Sequence, residues 1–212
     1  MPILSASGES QPQTEWQTSD DEKVRQRYLE AVIPEAEAVA SRFSEPTKLY
    51  NQQATPEAVI EHAPQKEVVH FSCHAGFDFD HPTESGFFLL GGYLTIQQII
   101  TQLRLKETRL ATLSACLTHF TEAEGGDELT GLTQALMVAG AKSIVASLWL
   151  VDQDSTRALF DVFYQAIAKG EAATIALKQA MQHVRQQPKW EHPFFWALFQ
   201  VSGLGYDLEV CT

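Results

Sequence analysis

Short buried strands separated by helix-length segments constrain the fold of this chain more than any other feature of its sequence. Residues 110–115 (LATLSA) are small or apolar throughout, which indicates a strand covered on both faces, as in a parallel sheet. Residues 143–150 (SIVASLWL) have the same character, and so do residues 67–73 (EVVHFSC) apart from Glu67 and His70. Amphipathic segments of helical length lie between and after these strands. This alternation predicts βαβ units, and therefore a three-layer α/β/α sandwich with a mostly parallel central sheet.

Capping residues, glycines and proline predict where the remaining elements begin and end. Thr55 caps a helix that has Pro56 at its first position and ends before Pro64, and Thr95 caps another helix. Residues 91–92 (GG) turn a small hairpin. Asp154 caps the long helix that follows the third buried strand, and residues 195–202 (FWALFQVS) form the last strand, which includes Trp196.

Two of the buried strands run into residues that can carry chemistry. Cys116 follows residues 110–115, at the start of a polar, glycine-bearing loop, and His74 follows residues 67–73. Ligands of open α/β sheets bind at the carboxyl ends of the strands, where both residues are expected. A thiol with a nearby imidazole is a nucleophile with its base. The alternatives are a buried, unreactive Cys116 and a structural His74.

The neighbouring cysteine and histidine residues are expected to be structural. Cys73 and His74 are consecutive, so Cys73 points to the opposite face and is expected to pack in the core. His70 lies in mid-strand and is expected to be buried structure. The spacings His70-x-x-Cys73 and Cys116-x-x-His119 imitate a zinc site. Residues three apart on a strand point to opposite faces, however, so no metal is expected. No organic cofactor is expected either, because the sequence contains no G-x-G-x-x-G or G-x-x-x-x-G-K-[ST] motif and thiol catalysis needs none.

Composition and charge exclude several classes of function. A formal net charge of −12 repels phosphate backbones, so nucleic acid is not an expected partner. The sequence contains no apolar run of the roughly 18 residues that a membrane span needs. The 3 cysteines have no paired spacing, which favours a reducing, cytoplasmic location. Residues 1–24 are expected to be poorly ordered, with one candidate strand at residues 2–7, ahead of a domain at 25–212.

The ordered set of motifs resembles one family. The segments HFSCHAGF and LATLSAC, the long stretch that begins GGDELTGLTQALMVAGAKSIVASLWLVDQDS, and HPFFWALFQVSG are similar to those of the CHAT family. CHAT domains are caspase-like domains that are often joined to tetratricopeptide repeats. The resemblance extends from about Ile33 to Gly205. It implies the fold of the caspase, separase and gingipain clan, and a catalytic Cys–His dyad carried here by Cys116 and His74.

The same resemblance implies an activity and its partners. The expected activity is that of a cysteine endopeptidase, which cuts protein or peptide substrates and is regulated by a tetratricopeptide-repeat protein or another partner. Backbone N–H groups of Cys116 and of Ala75 or Gly76 would hold the oxyanion. Many relatives have glycine directly after the histidine, whereas this chain has Ala75 and then Gly76. The alternative function is a catalytically silent or weakly active interaction module of the same fold.

Residues 150–155 (LVDQDS) carry an expectation about specificity. They follow the third strand, where caspase-like folds build the pocket for the residue before the scissile bond. They also resemble the acidic segment with which metacaspases hold arginine or lysine at that position. Asp152 is the expected substrate-binding residue, and cleavage after arginine or lysine is the expected preference. The alternative is that Asp152 is a second helix cap or a solvated turn residue.

Overall fold

A six-stranded sheet lies at the centre of the fold. In the computed structural model, which describes residues 2–7, 32–78, 80–114, 128–148 and 152–205, nine strands form two sheets. These are β1 (Pro2–Ser7), β2 (Glu45–Tyr50), β3 (Val68–Ser72), β4 (Ala75–Gly76), β5 (Gly86–Leu89), β6 (Gly92–Thr95), β7 (Leu110–Ser114), β8 (Ser143–Ser147) and β9 (Phe199–Gly203). The central sheet has the order β2-β1-β3-β7-β8-β9, and only β9 pairs antiparallel. The predicted mostly parallel sheet is confirmed.

The second sheet is a small antiparallel one beside the end of β3. Its order is β4-β5-β6, and β5 and β6 form the predicted hairpin. Gly91 and Gly92 make its turn with φ of 87° and 151°, in the left-handed half of backbone space where glycine carries no steric penalty. β4 was not expected from the sequence, because a strand of two residues has no pattern of its own.

Helices cover both faces of the central sheet. They are α1 (residues 32–40), α2 (Pro56–His62), α3 (Ile96–Thr101), α4 (Glu128–Ala139), α5 (Gln153–Ala168) and α6 (Ala173–Arg185). Thr55 and Thr95 cap α2 and α3 as predicted: their hydroxyl oxygens accept the N–H groups of Ala58 and Gln98 at 3.2 and 3.1 Å. Each bond satisfies one of the free N–H groups of a first helical turn.

Alternation along the strands divides the core into two clusters. Odd-numbered residues of β3 such as Val69 and Phe71 pack in one cluster, which contains residues of α2, α3 and α4. Val68 of β3 and Val145 of β8 pack in the other cluster, with residues of α5 and α6 and with Val39 of α1. The predicted three-layer sandwich is therefore confirmed, with β3, β7 and β8 buried on both faces.

A network of polar side chains lies on the side of the sheet covered by α1, α5 and α6, and it connects β3 to α1 and α5. The His70 side chain is fully buried, its Nδ1 lies 3.0 Å from the Tyr164 hydroxyl of α5, and its Nε2 lies 3.2 Å from Glu35 Oε1 of α1. Burial raises the pKa of Tyr164, so its hydroxyl stays protonated. A neutral imidazole can accept from this hydroxyl and donate to Glu35, which satisfies both ring nitrogens. The expectation that His70 is buried structure is confirmed.

The last strand is shorter than the sequence predicted. β9 begins at Phe199, whereas Pro193–Phe195 is a 3₁₀ turn and Trp196 follows that turn. The prediction that Trp196 lies in a strand is therefore wrong. The Trp196 indole N–H donates to the Glu191 carbonyl at 3.0 Å. A run of aromatic residues looks like a strand in sequence, but Pro193 fixes φ for the turn. The third buried strand likewise ends early, at Ser147, and Leu148 is 42% exposed.

Candidate active site

His74 lies directly beyond the carboxyl end of β3. It is half-buried, and it occupies the step between β3 of the central sheet and β4 of the small sheet. The His74 carbonyl accepts the N–H of Phe88 in β5 at 2.9 Å. The backbone of His74 is thus held from two sides, by the end of a central strand and by the hairpin.

The pairing of β4 with β5 determines the directions in which the backbone N–H groups of Ala75 and Gly76 point. Ala75 pairs with Phe87, and Gly76 pairs with Gly86. Hydrogen-bonded and non-bonded pairs alternate in an antiparallel ladder. Since the His74 carbonyl bonds to Phe88, the adjacent pair of Ala75 and Phe87 is the non-bonded kind. The N–H of Ala75 therefore points away from β5, whereas that of Gly76 points toward it.

The backbone at Ala75 does not require glycine. Among the described non-glycine residues, only Asn51 has a positive φ. Ala75 therefore adopts its conformation without left-handed strain. Gly76 is required for a different reason: a Cβ there would lie 2.7 Å from the Phe88 ring and 3.0 Å from the Tyr93 ring.

Cys116 itself lies outside the described residues, as does His119. The strand that leads to Cys116 is described to its end, and Ser114 of β7 pairs with Ser72 of β3. Cys116 follows Ser114 by two positions, and His74 follows Ser72 by two positions. The two candidate residues therefore follow adjacent parallel strands at the same offset.

A row of serine residues crosses the ends of these strands and was not singled out from the sequence. Ser72 and Ser114 are partners, and Ser147 of β8 follows Ala146, the partner of Leu113. All three serines are buried. The Oγ atom of Ser72 is buried without a hydrogen bond to any described residue. Serine as the last residue of three consecutive buried strands was the available signal, but only the register shows that the three form a row.

Asp152 lies at the start of α5, where it caps the helix. Its Oδ1 accepts the N–H of Ser155 at 2.9 Å, and its backbone is extended, with φ −82° and ψ 125°. Asp154, which the sequence predicted as the cap, is instead an exposed residue of the first helical turn. That prediction is wrong because the helix begins at Gln153, two residues earlier than a cap at Asp154 implies. A carboxylate accepts up to about four hydrogen bonds, so the cap leaves Asp152 with further capacity.

The remaining sequence candidates are structural, as predicted. Cys73 is fully buried in the first core cluster, and burial raises the pKa of its thiol well above the usual range, so the thiolate is disfavoured. His70 packs on the other side of the sheet with Glu35 and Tyr164, so His70 and Cys73 do not converge on a metal. Within the described part of the chain, no three His, Cys, Asp or Glu side chains are grouped to hold a metal ion.

An acidic loop follows β4. The Asp78 Oδ1 atom accepts the N–H groups of His81 and Asp80 at 2.8 and 3.0 Å, and the bond from His81 is the main cause that lowers the pKa of Asp78. Ser85 Oγ accepts the Asp78 N–H at 2.9 Å. These bonds give the loop local order on the way to β5, and they keep an anionic group a few residues from His74.

Comparison with protein families identifies the chain. A sequence model of the CHAT domain matches residues 5–204. Tetratricopeptide repeat protein 28 is 26% identical over 229 residues in Mus musculus and 25% identical in Homo sapiens. Each comparison covers 88% of this chain but 9% of the relative, so the chain spans less than a tenth of the length of these curated relatives. None of the described helices is long and apolar enough to pass through a bilayer.

Solved structures share the fold at low sequence identity. The Arg-specific cysteine proteinase gingipain R superposes with a TM-score of 0.58 at 15% identity, over 95% of this chain and 45% of the gingipain chain. Separase, from the separase–securin complex of Saccharomyces cerevisiae, superposes with a TM-score of 0.52 at 12% identity, over 96% of this chain and 12% of the other. These likenesses confirm the caspase-like fold. Since the family match spans residues 5–204, this chain belongs to the CHAT domain family.

Proposed function

We propose that this CHAT domain is a cysteine endopeptidase in which Cys116 is the nucleophile and His74 transfers the proton. The observation that carries the proposal is the position of His74. It stands at the carboxyl end of β3, and the neighbouring strand β7 leads to Cys116 at the same offset from the paired residues Ser72 and Ser114. Adjacent parallel strands lie about 4.8 Å apart, which suits a dyad built at their ends.

The reaction would be acyl transfer through a thioester. The Cys116 thiolate attacks the scissile carbonyl carbon, the carbon–nitrogen bond breaks, and His74 gives a proton to the leaving amine. Water, deprotonated by His74, then attacks the thioester carbon and releases the carboxylate product and the thiolate. No metal or organic cofactor takes part in this sequence of steps.

The register of β4 supports Ala75 rather than Gly76 as an oxyanion donor. The Ala75 N–H points away from the ladder with β5 and is the first amide after His74. Together with the N–H of Cys116 it would complete a pair of donors. One such donor typically contributes ~3 kcal/mol to transition-state stabilisation.

The residue before the scissile bond is proposed to be arginine or lysine. Asp152, at the start of α5, would supply the carboxylate, and the buried row of Ser72, Ser114 and Ser147 would supply a polar floor. A charge-assisted hydrogen bond in such a pocket contributes about 1.5–3 kcal/mol. Gingipain R, which has the same fold, is by its name Arg-specific.

Regulation by another protein is proposed as well. The curated relatives are named as tetratricopeptide repeat proteins, and separase is described in a complex with securin. The partner classes to test are therefore a tetratricopeptide-repeat protein and another, separate regulatory protein. The cytoplasm remains the expected location.

The test is to incubate the protein with a whole proteome and identify new N-termini, with Cys116→Ala as the inactive variant and Cys211→Ala as the matched control. We expect cleavage to disappear in Cys116→Ala and to persist in Cys211→Ala. A thiol-reactive peptide probe should label Cys116 well ahead of Cys73, whose thiol is buried. Unchanged turnover in Cys116→Ala would overturn the assignment. Equal, slow labelling of all the thiols, without cleavage, would favour the silent interaction module.

A further inference from the structure

An apolar groove lies between helix α6 and strand β9. Its volume is about 410 Å³, and its lining includes the apolar side chains of Leu177, Met181, Trp196 and Val201. β9 is the last described strand on its side of the central sheet, so the groove runs along a sheet edge. Exposed sheet edges with apolar surroundings invite pairing with other chains and are commonly covered in native proteins.

The charges around this groove have one sign. Of its described lining residues, only Lys178 and Arg185 are charged, and both are cationic. The guanidinium of Arg185 lies 5.3 Å from the centre of the Trp196 ring. The chain as a whole carries a formal net charge of −12, so this groove differs from its average surface. A segment with both apolar and acidic residues fits it best.

We propose that residues 206–212 (YDLEVCT) of the same chain cover this groove. Tyr206, Leu208 and Val210 alternate with Asp207 and Glu209. In an extended segment this alternation places the apolar side chains on one side and the acidic ones on the other. The apolar side would face the floor of the groove. The acidic side would face its rim, within reach of the long cationic side chains of α6.

The described chain delivers this segment to one end of the groove. The Gly205 carbonyl accepts both the N–H and the hydroxyl of Thr174, a lining residue at the start of α6, at 3.2 and 3.0 Å. Gly203 and Gly205 have φ of 95° and 64°, left-handed values that are typical of chain reversal after a strand. The segment would therefore run back along the groove, antiparallel to β9.

The lengths agree. Thr174 and Arg185 mark the two ends of the groove along α6 and are separated by about 17 Å, at 1.5 Å per helical residue. An extended chain covers about the same distance from Gly205 to Val210, at roughly 3.3 Å per residue. Residues 206–210 therefore suffice to reach from the Thr174 end to the Arg185 end.

Disulfide trapping in the full chain tests this proposal. Cys116 and Cys211 are replaced by Ala, which leaves the buried Cys73 as the remaining native cysteine. Glu209→Cys is then combined with Gln182→Cys. Gln182 lines the groove about 12 Å from Thr174 along α6, and residue 209 is about 13 Å from Gly205 along an extended chain. Gln179→Cys is the matched control, because Gln179 is exposed on α6 outside the groove lining.

We expect the disulfide within one molecule to form about tenfold faster with Gln182→Cys than with Gln179→Cys, the ratio that docking by ~1.4 kcal/mol would give. Leu208→Asp should remove this difference, and Leu208→Ile should keep it. Equal rates in the two cysteine pairs would overturn the proposal. Cross-linked dimers that increase with protein concentration would also overturn it, because a second copy would then occupy the groove.

Discussion

Substitutions of Asp152 separate a structural role from a proposed catalytic specificity. Asp152 caps α5 through the N–H of Ser155 at 2.9 Å. Asparagine caps helices about as well as aspartate, so Asp152→Asn keeps the cap and removes the charge. Asp152→Ala removes both. Comparison of the two variants therefore separates the contribution of the capping hydrogen bond from the contribution of the negative charge.

The expected stabilities follow from the cap. Asp152→Ala should lower the free energy of unfolding by about 1 kcal/mol, the usual cost of losing an N-cap. Asp152→Asn should lower it by no more than ~0.5 kcal/mol, through the lost interaction of the charge with the helix dipole. For a chain of this size, 1 kcal/mol corresponds to roughly 2–4 °C in melting temperature. Thermal and urea denaturation measure both values.

The expected specificities differ from the stabilities. Loss of a charge-assisted hydrogen bond of about 1.5–3 kcal/mol corresponds to roughly tenfold to a hundredfold in kcat/KM. Peptide substrates with arginine or with its uncharged analogue citrulline before the scissile bond measure this preference. Both Asp152→Asn and Asp152→Ala should lose it while Cys116 still reacts with a thiol probe. Asp154→Asn is the control, because Asp154 is exposed in the first turn of α5.

Three results would refute parts of this reasoning. If Asp152→Asn retains the wild-type ratio of arginine to citrulline cleavage, the carboxylate does not contact the substrate. If Asp152→Ala is as stable as the wild type, the cap contributes nothing to α5. A preference for aspartate or apolar residues before the scissile bond would refute the specificity proposal from the start.

Three further predictions concern the framework of the site. Tyr164→Phe removes the hydroxyl that lies 3.0 Å from His70 Nδ1. We expect urea denaturation to show a free energy of unfolding lower by about 1–3 kcal/mol. Wild-type stability would show that this hydrogen bond does not contribute to stability. Burial raises the pKa of the Cys73 thiol, so the stability that the protonated thiol contributes is complete below the unfolded pKa of about 8.5 and is lost as the pH rises. Cys73→Ala should therefore reduce the fall of the unfolding free energy at alkaline pH by up to ~1.4 kcal/mol per pH unit. An unchanged slope of unfolding free energy against pH would contradict this prediction. Gly86→Ala would place a Cβ 2.4 Å from a carbonyl oxygen of β6 and should cost about 1–3 kcal/mol. Gly131→Ala lies inside α4, and its Cβ would be 3.3 Å from one flexible side-chain carbon, so it should be neutral or stabilising by up to about 1 kcal/mol, because alanine is the better helix former. Equal melting temperatures in these two variants would refute the steric argument.

Local features of the sequence predicted much of the fold because their causes are local. Thr55 and Thr95 cap helices through hydrogen bonds from residues three positions later. The capping hydroxyl and the helix start that it stabilises therefore lie within the same few residues. The double-sided burial of β3, β7 and β8 was evident from their apolar composition. The proposal for His74 and Cys116 likewise came from where predicted strands end. The cap of α5 was misassigned to Asp154, since two aspartates two positions apart give nearly the same signal.

Contacts between distant parts of the chain decided the rest. The sequence by itself determined the order of the elements, the family resemblance and the candidate dyad. It could not show that His70 lies between Glu35 and Tyr164, which are 35 and 94 positions away, or that Ser72 and Ser114 end adjacent strands in one row. It could not choose between the N–H groups of Ala75 and Gly76, because that choice depends on which pairs of β4 and β5 are hydrogen-bonded. Strand register and side-chain networks depend on how whole elements pack, and that information is spread over the chain rather than held in any one segment.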